Sequence, residues 1–228
     1  MIEIEKLVGK VFDKIEKGST RLVYFPIQKK KIILDGIETE IKTALKVAKP
    51  HKYEIESGEC TLGKFQNKVE SSLMNSDYNA FILNCDNTYT TNYNGILCPV
   101  ISHDPNFYWE EMFYVYPMTV RDFCIETTTD EYPAGLYFPD VHSCMENYFA
   151  ECNKKPGEIW PEYIEEHKYN LIMKHPLIKT YISLAKHIKL MTVDFTLKNL
   201  GYIEHPFSKK KTIVLCDYGC TLDYVEIL

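Results

Sequence analysis

The chain has 228 residues, is 45% hydrophobic and 25% charged, and carries a net charge of -6. That length suffices for one sizeable domain or two small lobes sharing a cleft, and the acidic balance argues against a general nucleic-acid binder, which needs a basic surface. Eight scattered cysteines without a C-x-x-C pair, behind an N-terminus (MIEIEKLVGK) with no secretory apolar run, point to reduced cytosolic thiols and argue against zinc or a disulfide scaffold. No apolar run is long enough to span a membrane.

Taken in order, Ile4, Leu7, Val8, Val11, Phe12 and Ile15 recur at helical spacing and predict an amphipathic helix over residues 3–17. Gly18 ends it, either as a plain helix cap or as part of a functional turn, Gly18-Ser19-Thr20-Arg21, that leads into a strand Leu22–Phe25. Lys29–Leu34 reads as a strand and Asp35-Gly36 as a hairpin turn. A further strand, Ile41–Ala48, carries Lys46 in its middle, where alternation puts it on the face opposite Leu45 and Val47. That lysine is either exposed on an edge strand or buried, and if buried it needs a partner. Glu70 is the candidate, because Gln66, Asn67 and Glu70 can share one face of a short helix.

The stretch 73–97 is polar and rich in Tyr and Asn and reads as helix, loop and turn. Ile96–Ile101 predicts a strand, residues 102–106 a turn, and Phe107–Val115 a second strand leaving through Tyr116-Pro117-Met118. Thr119 is placed to cap a helix through Ile125. Helical fragments follow around 142–151 and 161–172, and Pro176 opens a longer helix. The chain then reaches MTVDFTLKNLGYIEHPFSKKKTIVLCDYG, residues 191–219: a loop, a short strand Leu200–Ile203, a polar turn 205–211, and a strand Thr212–Cys216 ending in Asp217-Tyr218-Gly219.

Asp194 and Asn199 in a D-x-x-x-x-N spacing, followed by Asp217 after a strand, suit phosphoryl transfer. One carboxylate orients or deprotonates an acceptor, while an amide oxygen and a second carboxylate hold magnesium against phosphates. Each motif taken singly is also compatible with an ordinary loop or turn.

This stretch resembles the catalytic loop and D-[FY]-G corner of protein-kinase-like phosphotransferases, and the chain is most similar to the small kinase-like proteins of tailed bacteriophages. The G-S-T-R turn, the A-L-K-V-A strand with Lys46 and the G-x-x-Q-N-x-x-E helix start ending at Glu70 stand in the family's order. The resemblance implies an α+β, protein-kinase-like bilobal fold: an antiparallel-sheet N-lobe over residues 1–116 and a reduced, mainly helical C-lobe over 117–228. It implies ATP and magnesium as cofactors. Lys46, oriented by Glu70, would grip the phosphates under the Gly18 turn, and Val115 to Met118 would form the adenine hinge. Asp194 would orient the acceptor, Lys198 would reach the γ-phosphate, and Asn199 and Asp217 would ligate the metal.

The sequence departs from the family pattern at several points. One glycine replaces three in the covering loop, a polar insert of residues 49–61 separates Lys46 from the Glu70 helix, Thr192-Val193 replaces His-Arg, and Thr196 stands where a lysine is usual. Only CTLDYVEIL follows Gly219, leaving no room here for an activation segment. Two functional classes are therefore expected: an atypical kinase acting on itself, a host protein or a small molecule, or an inactive kinase-fold module that binds a host protein in the host cytoplasm.

Overall fold

A computed structural model describes residues 12–26, 29–34, 36–49, 62–73, 96–153, 165–188, 195–205, 207 and 209–217. The described chain is a mixed α+β structure with antiparallel sheets. Among the described residues no helix is long and apolar enough to cross a membrane.

Strands β1 (Phe12–Lys17), β2 (Arg21–Pro26), β5 (Thr43–Ala48), β7 (Trp109–Phe113) and β6 (Val100–His103) form one five-stranded sheet in that spatial order. The helix expected over 3–17 is corrected here. Its C-terminal part is strand β1, paired antiparallel with β2 from Lys14↔Phe25 to Lys17↔Leu22, while residues 1–11 lie outside the described residues. The helical recurrence of Phe12 and Ile15 yields to pairing with a strand rich in β-branched and aromatic residues, and Ile15 stays half exposed on the sheet.

Strands β3 (Lys30–Leu34) and β4 (Ile37–Ile41) pair antiparallel with Gly36 at φ 75° between them, where a hairpin was expected; Asp35 lies outside the described residues. The strand expected over Ile41–Ala48 is interrupted at Lys42, so that β4 stays with β3 and β5 enters the large sheet. Helix α1 (Leu62–Leu73) packs on β5, β6 and β7. Gly63 permits that approach: a Cβ there would stand 2.7 Å from the Thr20 carbonyl oxygen and 3.0 Å from Ala48 Cα. The β6–β7 connection lies two residues later than expected, where the Asp104 carboxylate accepts from the backbone N–H of Asn106 at 2.8 Å and Tyr108 at 3.3 Å. The strand therefore restarts at Trp109 instead of Phe107.

Beyond β7 the chain passes through β8 (Tyr116–Pro117) into α2 (Val120–Glu126). Thr119 closes a capping box with Asp122, the Asp122 N–H donating to Thr119 Oγ1 at 3.1 Å and the Thr119 N–H to Asp122 Oδ2 at 2.9 Å. Helices α3 (Phe138–Asn153), α4 (Glu166–Lys174) and α5 (Pro176–Ile188) follow, the first longer at its start than the expected fragment. Their core is aromatic: Phe138 stacks on Phe195 at 5.8 Å, and Tyr181 meets Phe195 at 4.1 Å.

The hairpin of β9 (Leu200–Glu204) and β10 (Lys211–Leu215) pairs from Lys211↔Glu204 to Leu215↔Leu200, and β8 adds to it as a third strand. The segment 96–98 then runs parallel to the end of β10. Leu215 N–H donates to the Ile96 carbonyl at 2.7 Å, and Cys98 N–H donates to the Leu215 carbonyl at 2.9 Å. This splice delivers Cys216 and Asp217 to the face of the five-stranded sheet covered by α1.

Candidate functional site

Three neighbouring antiparallel strands set the floor of the site. Registers Val23↔Lys46 and Lys46↔Glu110 put Arg21 on β2, Lys46 on β5 and Glu110 on β7 on one face of the sheet. All three are buried, as is Glu70 above them on α1. An unpaired charge in such a place would be strongly disfavoured, so the partners decide whether the arrangement can exist.

Lys46 Nζ donates to Glu70 Oε2 at 2.6 Å and to the Cys216 carbonyl oxygen at 2.5 Å. The lysine is thus buried with a partner, not exposed on an edge strand. The other oxygen of Glu70 accepts from Arg21 Nη2 at 2.8 Å. The same Nη2 donates to Asp217 Oδ1, while Arg21 Nη1 donates to Asn67 Oδ1 at 3.2 Å and to Glu110 Oε1 at 3.3 Å. One guanidinium fork therefore ties together α1, β7 and the corner after β10.

Helix α1 supplies more than Glu70. Gln66 Oε1 accepts from Thr20 Oγ1 at 2.6 Å, Asn67 Nδ2 donates to the Phe107 carbonyl at 2.9 Å, and Ser71 Oγ donates to Glu110 Oε2 at 3.1 Å. The Q-N-x-x-E face is buried throughout, where an ordinary helix start would be solvated.

Burial and the adjacent Arg21 oppose the charge on Lys46, yet Glu70, Asp217 and Glu110 outweigh them and hold its ammonium above the usual lysine value. Burial likewise opposes the charge on Glu70, but Arg21 and Lys46 overcome it and keep that carboxylate well below the usual range. Glu110 goes the other way: burial, then the charge of Glu70, pushes it well up. The two buried carboxyls are thus driven apart: Glu70 is held as the anion facing Arg21 and Lys46, while Glu110 is shifted toward its protonated form. Burial also pushes the Cys216 thiol up to about 11, which keeps it protonated and chemically quiet.

Gly18 closes the β1–β2 hairpin, its N–H donating to the Arg21 carbonyl at 3.0 Å. It is a strand–turn–strand glycine and not the helix cap that the N-terminal periodicity suggested. Lys49 Nζ donates to the Gly18 carbonyl and pins the turn.

Asn199 and Asp217 flank the same end of the β9–β10 hairpin, joined by the Cys216 N–H donating to the Asn199 carbonyl at 2.8 Å. Lys198 is exposed in the preceding turn. Val115 is half-buried, with its Cγ1 against Gly201, and Met118 is buried in the core. Asp194, Tyr218 and Gly219 lie outside the described residues; Phe195, directly after Asp194, is fully buried.

The structure thus brings Lys46, Glu70 and Asp217 together and sets Asn199 on the hairpin end that carries Asp217. Sequence reading missed Arg21 and Glu110. For Glu110 there was a signal, since alternation through Trp109-Glu110-Glu111-Met112 puts it on the same face as Met112. For Arg21 there was none beyond its place in the turn motif.

Asp217 Oδ2 has no hydrogen-bond or ion-pair partner among the described residues, and the side chain is 43% exposed. A carboxylate oxygen presented in this way is a hard donor of the kind magnesium takes when phosphates and water complete its shell. No group of three or more His, Cys, Asp or Glu that could hold a metal occurs among the described residues, so no all-protein metal cage is found there. Neither a scan of protein-family models nor a search of curated proteins returns a match for this chain.

Proposed function

We propose that this protein is an atypical kinase-like phosphotransferase that binds ATP with magnesium, with an N-lobe over residues 1–116 and a reduced C-lobe over 117–228, similar to the small kinase-like proteins of tailed bacteriophages. The observation that supports this reading most is the buried Lys46–Glu70 pair at 2.6 Å with Asp217 beside it, assembled from a strand, a helix and a corner far apart in the chain. An ammonium oriented by a carboxylate at the mouth of a sheet is what a polyphosphate needs, because phosphoryl transfer depends on positioning and charge stabilisation.

In this reading Lys46 binds the phosphates and Glu70 fixes its direction. The glycine turn at Gly18 lies over them, and residues Val115 to Met118 border the base. Asn199 and Asp217 would hold the magnesium, which when bound offsets phosphate charge. Asp194 orients the acceptor hydroxyl, and Lys198 stands by the γ-phosphate. The acceptor is the protein itself, a host protein or a small molecule.

A second reading, an inactive kinase-fold module that modulates a host protein, draws on one observation: Asp217 is already engaged by Arg21. A thermal-shift titration with ATP and magnesium on wild type and Asp217→Ala separates the two. A magnesium-dependent rise in Tm that the mutant loses is expected. No shift at millimolar ATP would sink the kinase reading and leave the binding module.

A further inference from the structure

We propose that Arg21 is a built-in counter-cation for Asp217, so that a divalent metal ion takes both oxygens of this carboxylate only by displacing the guanidinium from Oδ1. The inference rests on the reading of Asp217 as a metal ligand and adds a residue that opposes the metal.

Three observations carry it. First, Arg21 and Asp217 are 196 residues apart and belong to different sheets, so their contact is not imposed by local chain geometry. Second, the guanidinium is only 5% exposed and would stay anchored without Asp217: Glu70, Asn67 and Glu110 all accept from it. Asp217 is its one exposed partner and the cheapest to give up, because a carboxylate at 43% exposure can be resolvated. Third, Asp217 already has a cation in direct contact, and Lys46 stands beside that cation, both bound to Glu70. A doubly charged ion arriving at Asp217 would meet these like charges, and such repulsion is large at any effective dielectric of a protein interior. The contact therefore acts as a latch, closed without metal and opened by a metal that arrives with enough phosphate charge to compensate Arg21.

The latch makes metal affinity rise when Arg21 is weakened, the opposite of what a residue that positions Asp217 for the metal would do. The test is manganese binding to the full chain, read from the free-ion electron paramagnetic resonance signal, for wild type, Arg21→Gln, Arg21→Lys and Arg21→Gln/Asp217→Ala. Arg21→Gln is expected to bind the ion at least about tenfold more tightly than wild type. The double variant should lose the gain. Arg21→Lys keeps a cation for Glu70 but lacks the second nitrogen that holds Asn67 and Glu110 and so fixes the charge beside Asp217, and it should show a smaller gain; it also serves if Arg21→Gln does not fold. Equal or weaker binding in the folded variants overturns the latch, whether or not wild type binds the ion. The kinase reading is judged separately, by the ATP–magnesium shift of wild type: a shift there with no gain in the Arg21 variants would leave that reading intact and remove this one.

Discussion

Arg21 on β2 and Glu110 on β7 meet at 3.3 Å across β5, a strand to which neither belongs. The strand between them contributes Lys46, whose Nζ lies 3.9 Å from the same Glu110 oxygen. Two cations thus converge on a carboxyl group whose proton is nevertheless held more tightly than usual, because burial and then the charge of Glu70 outweigh them. Glu70 is bound to both cations at 2.8 and 2.6 Å, shorter than either contact to Glu110. Two adjacent buried carboxyls with unequal partners are driven in opposite directions, Glu70 down and Glu110 up.

A consequence for pH follows directly. The folded-state value of Glu110 lies above its unfolded one, so the folded protein keeps a proton that the unfolded chain gives up as pH rises through the ordinary carboxyl range. Stability therefore declines with rising pH from that range until the folded group ionises too. Glu110→Gln, neutral at every pH and of similar shape, should abolish the decline and be at least as stable as wild type at about pH 8. Urea unfolding across the pH range checks this, and a Glu110→Gln protein clearly less stable than wild type at neutral pH would mean that the group is ionised in the fold.

Much of this cluster was legible in the sequence for a simple reason. A lysine inside an apolar strand must find a carboxylate, and Glu70 was the nearest one on a helix face. Strand and turn signals around Leu200–Cys216 and at Gly36 were local, and they held. The C-terminal part of the helix expected over 3–17 gave way to β1 because its periodicity was local while the pairing of β1 with β2 is tertiary. Arg21 was invisible for the same reason: its partners stand 46, 49, 89 and 196 residues away, and nothing in the G-S-T-R turn reports them. The Asp194 position, on which acceptor chemistry depends, lies outside the described residues.

The joint between β8 and β9 has no room for a side chain at Gly201. A Cβ there would overlap the Tyr116 carbonyl oxygen and Val115 Cγ1. Gly201→Ala should push β8 off the hairpin, disturb the stacking of Tyr116 on Tyr202 (5.3 Å, 16° between planes) and cost about 1–3 kcal/mol, as overpacking generally does. Because a backbone carbonyl is one of the two obstacles, trimming the other with Val115→Ala should restore only part of the loss. Urea denaturation of the single and double variants measures both, and a full rescue would show that the carbonyl can move aside.

His175, between α4 and α5, is a second titrating element and runs in the opposite sense. Its ring is fully buried, with Nε2 3.0 Å from the Thr127 carbonyl oxygen and Nδ1 accepting from the Leu177 N–H at 3.2 Å, which fixes the neutral tautomer with the proton on Nε2. Burial lowers its folded value, so below the ordinary histidine range the unfolded chain takes up a proton that the fold refuses. Stability should fall as pH drops through about 7 to 5, with each unit of depression worth about 1.4 kcal/mol once the unfolded histidine is fully charged. In wild type Glu110 works against this loss, since its raised value makes it more stabilising as pH falls toward the ordinary carboxyl range. The two are separated by working in Glu110→Gln, where acidification should give a clear loss, and then adding His175→Gln, which should flatten it. A Glu110→Gln protein with no loss between those values would place the charged imidazolium inside the fold, with Nε2 against the Thr127 carbonyl.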